Sequence, residues 1–382
     1  MRIRRLAKTL LVAGMIALLG NGMTAFADTV KVNASNLNFR KNAGMSAEVI
    51  RTLPRGTVLE RTENLGEWSK VTVDGVQGFV ASRYLQVLDM VVSEQVEVTI
   101  AIPGREAISG QQIMREEGDA LTKWDTVYAS AAWTAGLKAE YQYAANSKIN
   151  TGQAVFYQTN AAIRKEKVVC VNAGHGTQGG SSVKTLCHPD GSPKVTSGTT
   201  AAGATTAVAV SSGMTFNDGT PESTVTLKMA KVLRDKLLAE GYDVLMIRET
   251  DDVQLDNIAR TVLANNLADC HLALHWDSTT SNKGCFYMSV PRNDSYRSME
   301  PVKSHWESHN RLGSCLIEGL RAGGNKIFSS GAMEMDLTQT SYSTIPSVDI
   351  ELGDKASSHS ADTLEKLADG LIIGVNQFFD GL

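Results

Sequence analysis

Beyond residue 166 the chain alternates short β-branched apolar runs with longer stretches of helix formers, and that rhythm restricts the fold more than any other feature of its 382 residues. "KVVCVN", "YDVLMIRE", "CHLALHWD", "GCFYMSV" and "SVDIELG" have the length and composition of strands. "PESTVTLKMAKVLRDKLLAEG", "QLDNIARTVLANNLA" and "TLEKLADGLIIGVNQFFDGL" read as helices. In the first of these Val225, Leu227, Met229, Val232 and Leu237 supply a broad apolar face, and Gly241 supplies the residue that ends it. The alternation predicts an α/β fold, with a mixed or mostly parallel sheet flanked by helices. Ligands of such sheets gather at the carboxyl ends of the strands.

Three of those runs carry metal-binding groups. "VVCVNAGHGTQGG" ends a strand with His175 between Gly174 and Gly176, His275 lies in "CHLALHWD", and Glu351 lies in "SVDIELG". Flanking glycines permit a sharp turn and predict an uncovered imidazole, although a tight turn that merely contains a histidine has the same short signature. Glu222 adds a carboxylate at a helix start, where Thr220 reads as the N-cap and Pro221 as the first helical residue. Two imidazoles and one carboxylate, with a position open to water, make a catalytic zinc set. A second carboxylate beside them supplies a general base.

Taken in order, "VNAGHG", "PES", "RTVLANNLADCHLALHWDS", "KGCFYM" and "SVDIELGDKASSHSADTL" resemble the zinc-dependent N-acetylmuramoyl-L-alanine amidases of the type 3 family over residues 166–382. The resemblance implies hydrolysis of the amide bond between N-acetylmuramic acid and L-alanine in peptidoglycan. It also implies that His175, Glu222 and His275 bind Zn2+ and that Glu351 is the catalytic carboxylate. Asn172-Ala173 stands where Asp-Pro is common, Trp276-Asp277 where Ala-Asn is frequent, and Gly353-Asp354 where many members have Gly-Phe. None of these is a ligand, so they bear on groove shape and substrate preference. The 47-residue separation of His175 and Glu222 is longer than the family leads one to expect. Residues 177–221, rich in Gly, Ser, Thr and Ala, read as an ordered insertion or a mobile flap. Arg260 and Asn265 either support the site or serve as ordinary helix residues. The alternatives to amidase activity are a zinc peptidase acting on the stem peptide and a wall-binding protein without catalysis; the complete His-Glu-His set with Glu351 argues against the second. His305 and His309 in "HWESH" stand at i and i+4, which on a helix would share one face, but lack the zincin placement of glutamate. With His188, His271 and His359 they read as structural or exposed.

Residues 1–27 read as a secretory signal: Arg2, Arg4, Arg5 and Lys8 precede a short apolar run that ends in Ala25-Phe26-Ala27. Cleavage there leaves 355 residues and takes the formal charge from −4 to −8, because the segment holds four positive charges and no negative ones. Such a chain is expected to be secreted and cell-wall associated, with no membrane span after cleavage and no nucleic-acid partner. Its length also predicts more than one core. Residues 28–88, with Val58, Val71, Val73 and Val80 in alternating patterns and an Asp74-Gly75 hairpin signal, read as a small all-β barrel. Leu37-Asn38-Phe39-Arg40, Leu53-Pro54-Arg55-Gly56, Glu67-Trp68, Gly78-Phe79-Val80 and Tyr84-Leu85 resemble the bacterial SH3 family, whose modules commonly hold cell-wall material. Trp68, Phe79 and Tyr84 form either a binding groove or the barrel core. Residues 89–165 read as a linker or accessory region, with strands in "SEQVEVTIAIPG" and helix formers over "GQQIMREEGDALTKWDTVYASAAWTAGLKAEYQYAAN". Cys170, Cys187, Cys270, Cys285 and Cys315 follow no zinc-ribbon or redox spacing and read as structural.

Overall fold

The computed structural model describes residues 28–73, 75–87, 97–100, 108–113 and 126–381. The expected signal segment, Asp74 of the hairpin signal and parts of the 89–165 stretch lie outside them. The chain forms two compact units, one up to residue 95 and one from residue 96 onward.

The first unit is all β. Strands β1 (Asp28–Val32), β2 (Asn36–Arg40), β3 (Val49–Pro54), β4 (Val58–Asn64), β5 (Trp68–Val73), β6 (Val76–Ala81) and β7 (Leu85–Val87) pair in the order β3-β2-β6-β5-β4-β1-β7. Period-two alternation sends Val71, Val73 and Val80 inward to join Val30, Val32, Leu37, Phe39, Leu53 and Leu59 in one core. Val58 faces solvent and its neighbour Leu59 takes the inward place. Trp68, Phe79 and Tyr84 stay outside that core. Phe39 is its aromatic, and Gly78 packs so closely that a Cβ there would lie 2.4 Å from the Phe39 ring.

The second unit is built on a ten-stranded sheet. Its elements are β8 (Glu97–Ile100), β9 (Ile108–Ile113), β10 (Ala129–Gly136), β11 (Gln153–Thr159), β12 (Val168–Ala173), β13 (Lys184–Leu186), β14 (Thr206–Val208), α1 (Glu222–Glu240), β15 (Asp243–Met246), α2 (Asn257–Leu267), β16 (Cys270–Asp277), β17 (Cys285–Ser289), α3 (Asp294–Arg297), α4 (Val302–Ala322), β18 (Ile327–Glu334), α5 (Thr338–Tyr342), β19 (Ser347–Asp354) and α6 (Ala361–Asp380). The sheet order is β18-β17-β19-β16-β12-β15-β11-β10-β9-β8, with β13 and β14 forming a separate hairpin. Its centre, β19-β16-β12-β15, is parallel; β17 runs antiparallel to β19, and β11 antiparallel to β15. The sheet is therefore mixed, with the parallel strands where both faces are covered. All residues of β12 and β15 are buried, as their continuous apolar runs require.

Helices α1, α4 and α6 cover one face, where Met229, Leu233, Leu316 and Leu371 pack with Val169, Val171 and Leu272. On the other, Ala259 and Leu263 of α2 pack with Cys170 and Leu245. Pro221 is the extended cap of α1 and Glu222 its first helical residue, one position later than the sequence suggests; Gly241 ends the helix at φ 99°. Ala129–Gly136, which composition assigns to a helix, is instead β10, paired over its length with β11. Cross-strand pairing and burial of Trp133 against Phe156 override the helix preference of alanine there. Part of the 89–165 stretch thus belongs to the same sheet as the strands that follow it. Cys170, Cys187 and Cys285 are buried thiols. Among the described residues no helix is long and apolar enough to cross a membrane.

Helices α4 and α6 meet through glycines: a Cβ on Gly374 would sit 2.6 Å from the Cys315 carbonyl oxygen and 2.6 Å from the Leu316 Cα. Backbone cannot yield as a side-chain tip can. Gly374→Val should therefore destabilise the second unit by about 1–3 kcal/mol, read as a lower urea midpoint.

Candidate metal centre

The parallel register brings the strand-end groups together. β12 pairs with β16, and β16 with β19, so that His275 lies directly beside Glu351 in the sheet. His175 follows two residues after β12, and Glu222 opens α1. His175 Nε2 lies 2.9 Å from Glu222 Oε1, His275 Nδ1 lies 3.1 Å from the same oxygen, and the two ring nitrogens are 3.1 Å apart. These separations approach the ~3.3 Å edge of a tetrahedron whose bonds are ~2.0–2.1 Å, the zinc–nitrogen length. Trp276 N–H donates to Glu222 Oε1 at 3.0 Å, which fixes the carboxylate.

The turn carrying His175 is built from behind by two buried arginines. Arg260 donates to the carbonyls of Ala173, His175 and Leu255, to Asn172 Oδ1 and to Thr177 Oγ1. Arg248 donates to the carbonyls of Ala173, Gly174, Ser223 and Thr250. Burial lowers both guanidiniums from the ordinary arginine value, and repulsion by Arg248 lowers Arg260 further, yet both stay charged at neutral pH. The glycines have different tasks from the one expected. A Cβ at Gly174 would lie 2.2 Å from the His275 ring, so this glycine admits the second imidazole. Gly176, at φ 70°, leaves room for the Arg248 guanidinium. His175 itself is buried, 8% exposed, rather than uncovered, and holds the left-handed backbone at φ 63°.

The cluster carries an excess of acid. Although burial alone would raise Glu222, hydrogen bonds from the two histidines hold it well below the usual carboxylate range. Burial would push His275 down, but Asp349, Glu222 and Glu351 together lift it to about 10. Glu351 is pushed far up by burial and then by the charge of Asp349. Glu351 Oε2 and Asp349 Oδ1 are buried with no hydrogen-bond partner. Three carboxylates around two imidazoles call for a cation at the centre, and the nitrogen and oxygen donors suit zinc. His175 Nδ1 lies 2.8 Å from the Ser211 carbonyl, which can only accept, so this ring keeps its proton outside and turns Nε2 inward.

The centre lies in a cleft of about 530 Å³ that His175, Glu222, His275, Asp349 and Glu351 share with Arg260. Residues of the 177–221 insertion form much of its opposite wall. That wall is pinned: fully buried Asp336, beyond β18, accepts from Lys194 Nζ at 3.0 Å, His188 Nε2 at 3.2 Å, Val195 N at 2.7 Å and the Thr196 hydroxyl. Asn265 is elsewhere, bonding Tyr342 O and Thr344 N. His188 and His271 are buried structural residues, and His309 accepts from Ser347 N–H. His359 pairs with Asp218 at 3.0 Å. Asp349 went unread in the sequence although it stands two residues before Glu351, and period-two geometry puts both on one face of β19. Its Oδ2 lies 3.7 Å from His275 Nε2. Arg248 carried no readable signal, since its role depends on where β15 ends relative to β12.

Residues 169–374, more than half of the chain, match the family model described as N-acetylmuramoyl-L-alanine amidase, and residues 35–86 match the bacterial SH3 domain. YrvJ of Bacillus subtilis (strain 168), provisionally described as an N-acetylmuramoyl-L-alanine amidase, is 25% identical over 232 residues, or 58% of this chain. The chain spans 41% of the length of that relative. Among solved structures, the amidase Ami1 of Mycobacterium smegmatis is 19% identical, with a TM-score of 0.47 over 56% of this chain and 98% of its own. The catalytic domain of CwlV, from Bacillus (Paenibacillus) polymyxa var. colistinus, is 18% identical, with a TM-score of 0.39 over 56% and 98%.

Loss of the guanidinium behind the turn should be felt before any chemistry. Arg260→Met strands the carbonyls of Ala173 and His175 and should cost about 3 kcal/mol or more, at ~1.5–3 kcal/mol per charged hydrogen bond. Arg260→Lys should recover little, because a single ammonium cannot span acceptors on three sides. Urea midpoints of the two variants measure both effects.

Proposed function

The chain belongs to the N-acetylmuramoyl-L-alanine amidase family, and on that premise we propose that it is an exported, cell-wall-associated zinc amidase that cleaves the bond between N-acetylmuramic acid and L-alanine in peptidoglycan. The observation that carries the reading is the convergence of three donor atoms beside an unpartnered buried carboxylate oxygen, at the carboxyl ends of adjacent parallel strands. His175 Nε2, Glu222 and His275 Nδ1 would hold the ion. Zinc, when bound, supplies Lewis acidity that polarises the scissile carbonyl and makes water more acidic.

The chain's own residues perform the rest. Glu351 Oε2, a buried carboxylate oxygen with no hydrogen-bond partner, accepts a proton from the attacking water and returns it to the departing amine nitrogen. Asp349, on the outer side of His275, orients that ring. The Arg248 and Arg260 guanidiniums keep the His175 turn in place so that no reorganisation is needed as charge develops. The N-terminal bacterial SH3 domain would hold the enzyme to the wall without entering the chemistry, a role suited to a module whose Trp68, Phe79 and Tyr84 lie outside its core.

Purified protein given sacculi should release stem peptides with a free L-alanine amino terminus. Release of peptides cut further along the stem would assign it to the stem peptidases, and no release to the wall-binding proteins. Glu351→Gln keeps the shape of the side chain but not its basicity; zinc content should stay at the wild-type level while turnover falls by about 10²- to 10⁴-fold. Deletion of residues 28–88 should weaken co-sedimentation with sacculi and leave hydrolysis of a small soluble muropeptide unchanged.

A further inference from the structure

We infer that the insertion between the first two ligand positions is the outer support of the metal centre, with Gly213 as its point of closest contact, rather than a cover over the cleft. The inference rests on the metal reading above. Three consecutive contacts carry it. The Ser211 carbonyl receives the outer N–H of His175 at 2.8 Å, and the Ser211 hydroxyl lies 3.1 Å from the same nitrogen. Met214 N–H donates to Glu222 Oε2 at 2.9 Å, while Glu222 N–H donates back to the Met214 carbonyl at 2.9 Å. Between them Gly213 leaves no room for a side chain: a Cβ there would stand 2.7 Å from His175 Cδ2 and 2.9 Å from Glu222 Oε2.

The far side of the same segment is fastened to the scaffold at one point and to the rest of the insertion at another. Asn257 N–H at the start of α2 donates to the Ala209 carbonyl at 3.1 Å, Ala209 N–H donates to the Val183 carbonyl within the insertion at 2.8 Å, and Ala209 and Val210 are buried. Residues 209–214 therefore have one edge fixed to the fold and the other pressed against two of the three ligand side chains. A support of this kind fixes the tautomer and the plane of an imidazole, and the loss of such partners typically weakens metal binding by 10- to 100-fold. Gly213 is required twice over, by its φ of 80° and by the missing side chain.

The two requirements separate experimentally, because Gly203 in the same insertion has φ 85° but open space around it. Zn2+ affinity of the full chain would be measured by competition with a chromogenic chelator, alongside urea midpoints of the zinc-free proteins. Gly213→Ala should bind Zn2+ about 10- to 100-fold more weakly, and so should Gly213→Asn, which tolerates left-handed backbone but brings the same Cβ. Gly203→Ala should bind as the wild type does, and the zinc-free midpoints show that each variant is folded under the binding conditions. Wild-type affinity in both Gly213 variants, with Zn2+ binding lost in His175→Ala, would overturn the support role and leave the metal assignment standing. Retention of Zn2+ by His175→Ala would remove the assignment itself, and the support role with it.

Discussion

The turn after β12 is gripped by its carbonyl oxygens, and the rest of the centre depends on that grip. Arg248 reaches it from the end of β15 while also bonding Ser223 of α1, and Arg260 reaches it from α2, so the two guanidiniums tie the turn to helices on both faces of the sheet. A chain segment with left-handed residues at His175 and Gly176 does not hold such a shape unaided. With its carbonyls saturated by buried donors, it has one conformation available, and the imidazole is in position before any ion arrives. Preorganisation of this kind removes an ordering cost from metal binding.

Charge is balanced in layers around that turn. The inner layer holds Glu222, Asp349 and Glu351 against two imidazoles; the outer holds the two arginines, whose N–H groups are engaged by backbone carbonyls even though Arg260 also lines the cleft. Acid is therefore concentrated where a cation is wanted, and the guanidiniums are kept from neutralising it. Glu222 is held on both oxygens, by Trp276 N–H and by Met214 N–H, whereas Glu351, like Asp349, has one oxygen without hydrogen-bond restraint. Two acids of the same type thus differ in environment through their partners alone.

Much of this was legible in residues 166–382. The strand runs around Val168, Asp243, Cys270, Cys285 and Ser347 fall where the sheet has strands, because short apolar or alternating runs flanked by turns have few other solutions. His175, Glu222, His275 and Glu351 could be picked out because His175 follows a strand, Glu222 opens a helix, and His275 and Glu351 lie within short strand-like runs that are readable from composition. Ala129–Gly136 could not, since alanine's local preference is helical and only the neighbour β11 makes it a strand. Helix α4 and strand β18 were not identified either: their apolar positions are interrupted by Gly313, Gly319 and Gly331, each serving a close contact that exists only in the folded chain.

The sequence by itself determined the fold class and the kinds of chemistry available, because periodicity and residue type are local properties that survive without a partner. It left the meaning of the two glycines beside His175 undecided, and the reading of an exposed imidazole was the wrong one. Only the tertiary structure decided that Gly174 makes space for His275, that Gly176 makes space for Arg248, and that Asp349 and the 209–214 segment both contact the same cluster. Those assignments concern what lies within a few ångströms across tens of residues of separation. No spacing along the chain encodes such contacts; the parallel register of β12, β16 and β19 creates them.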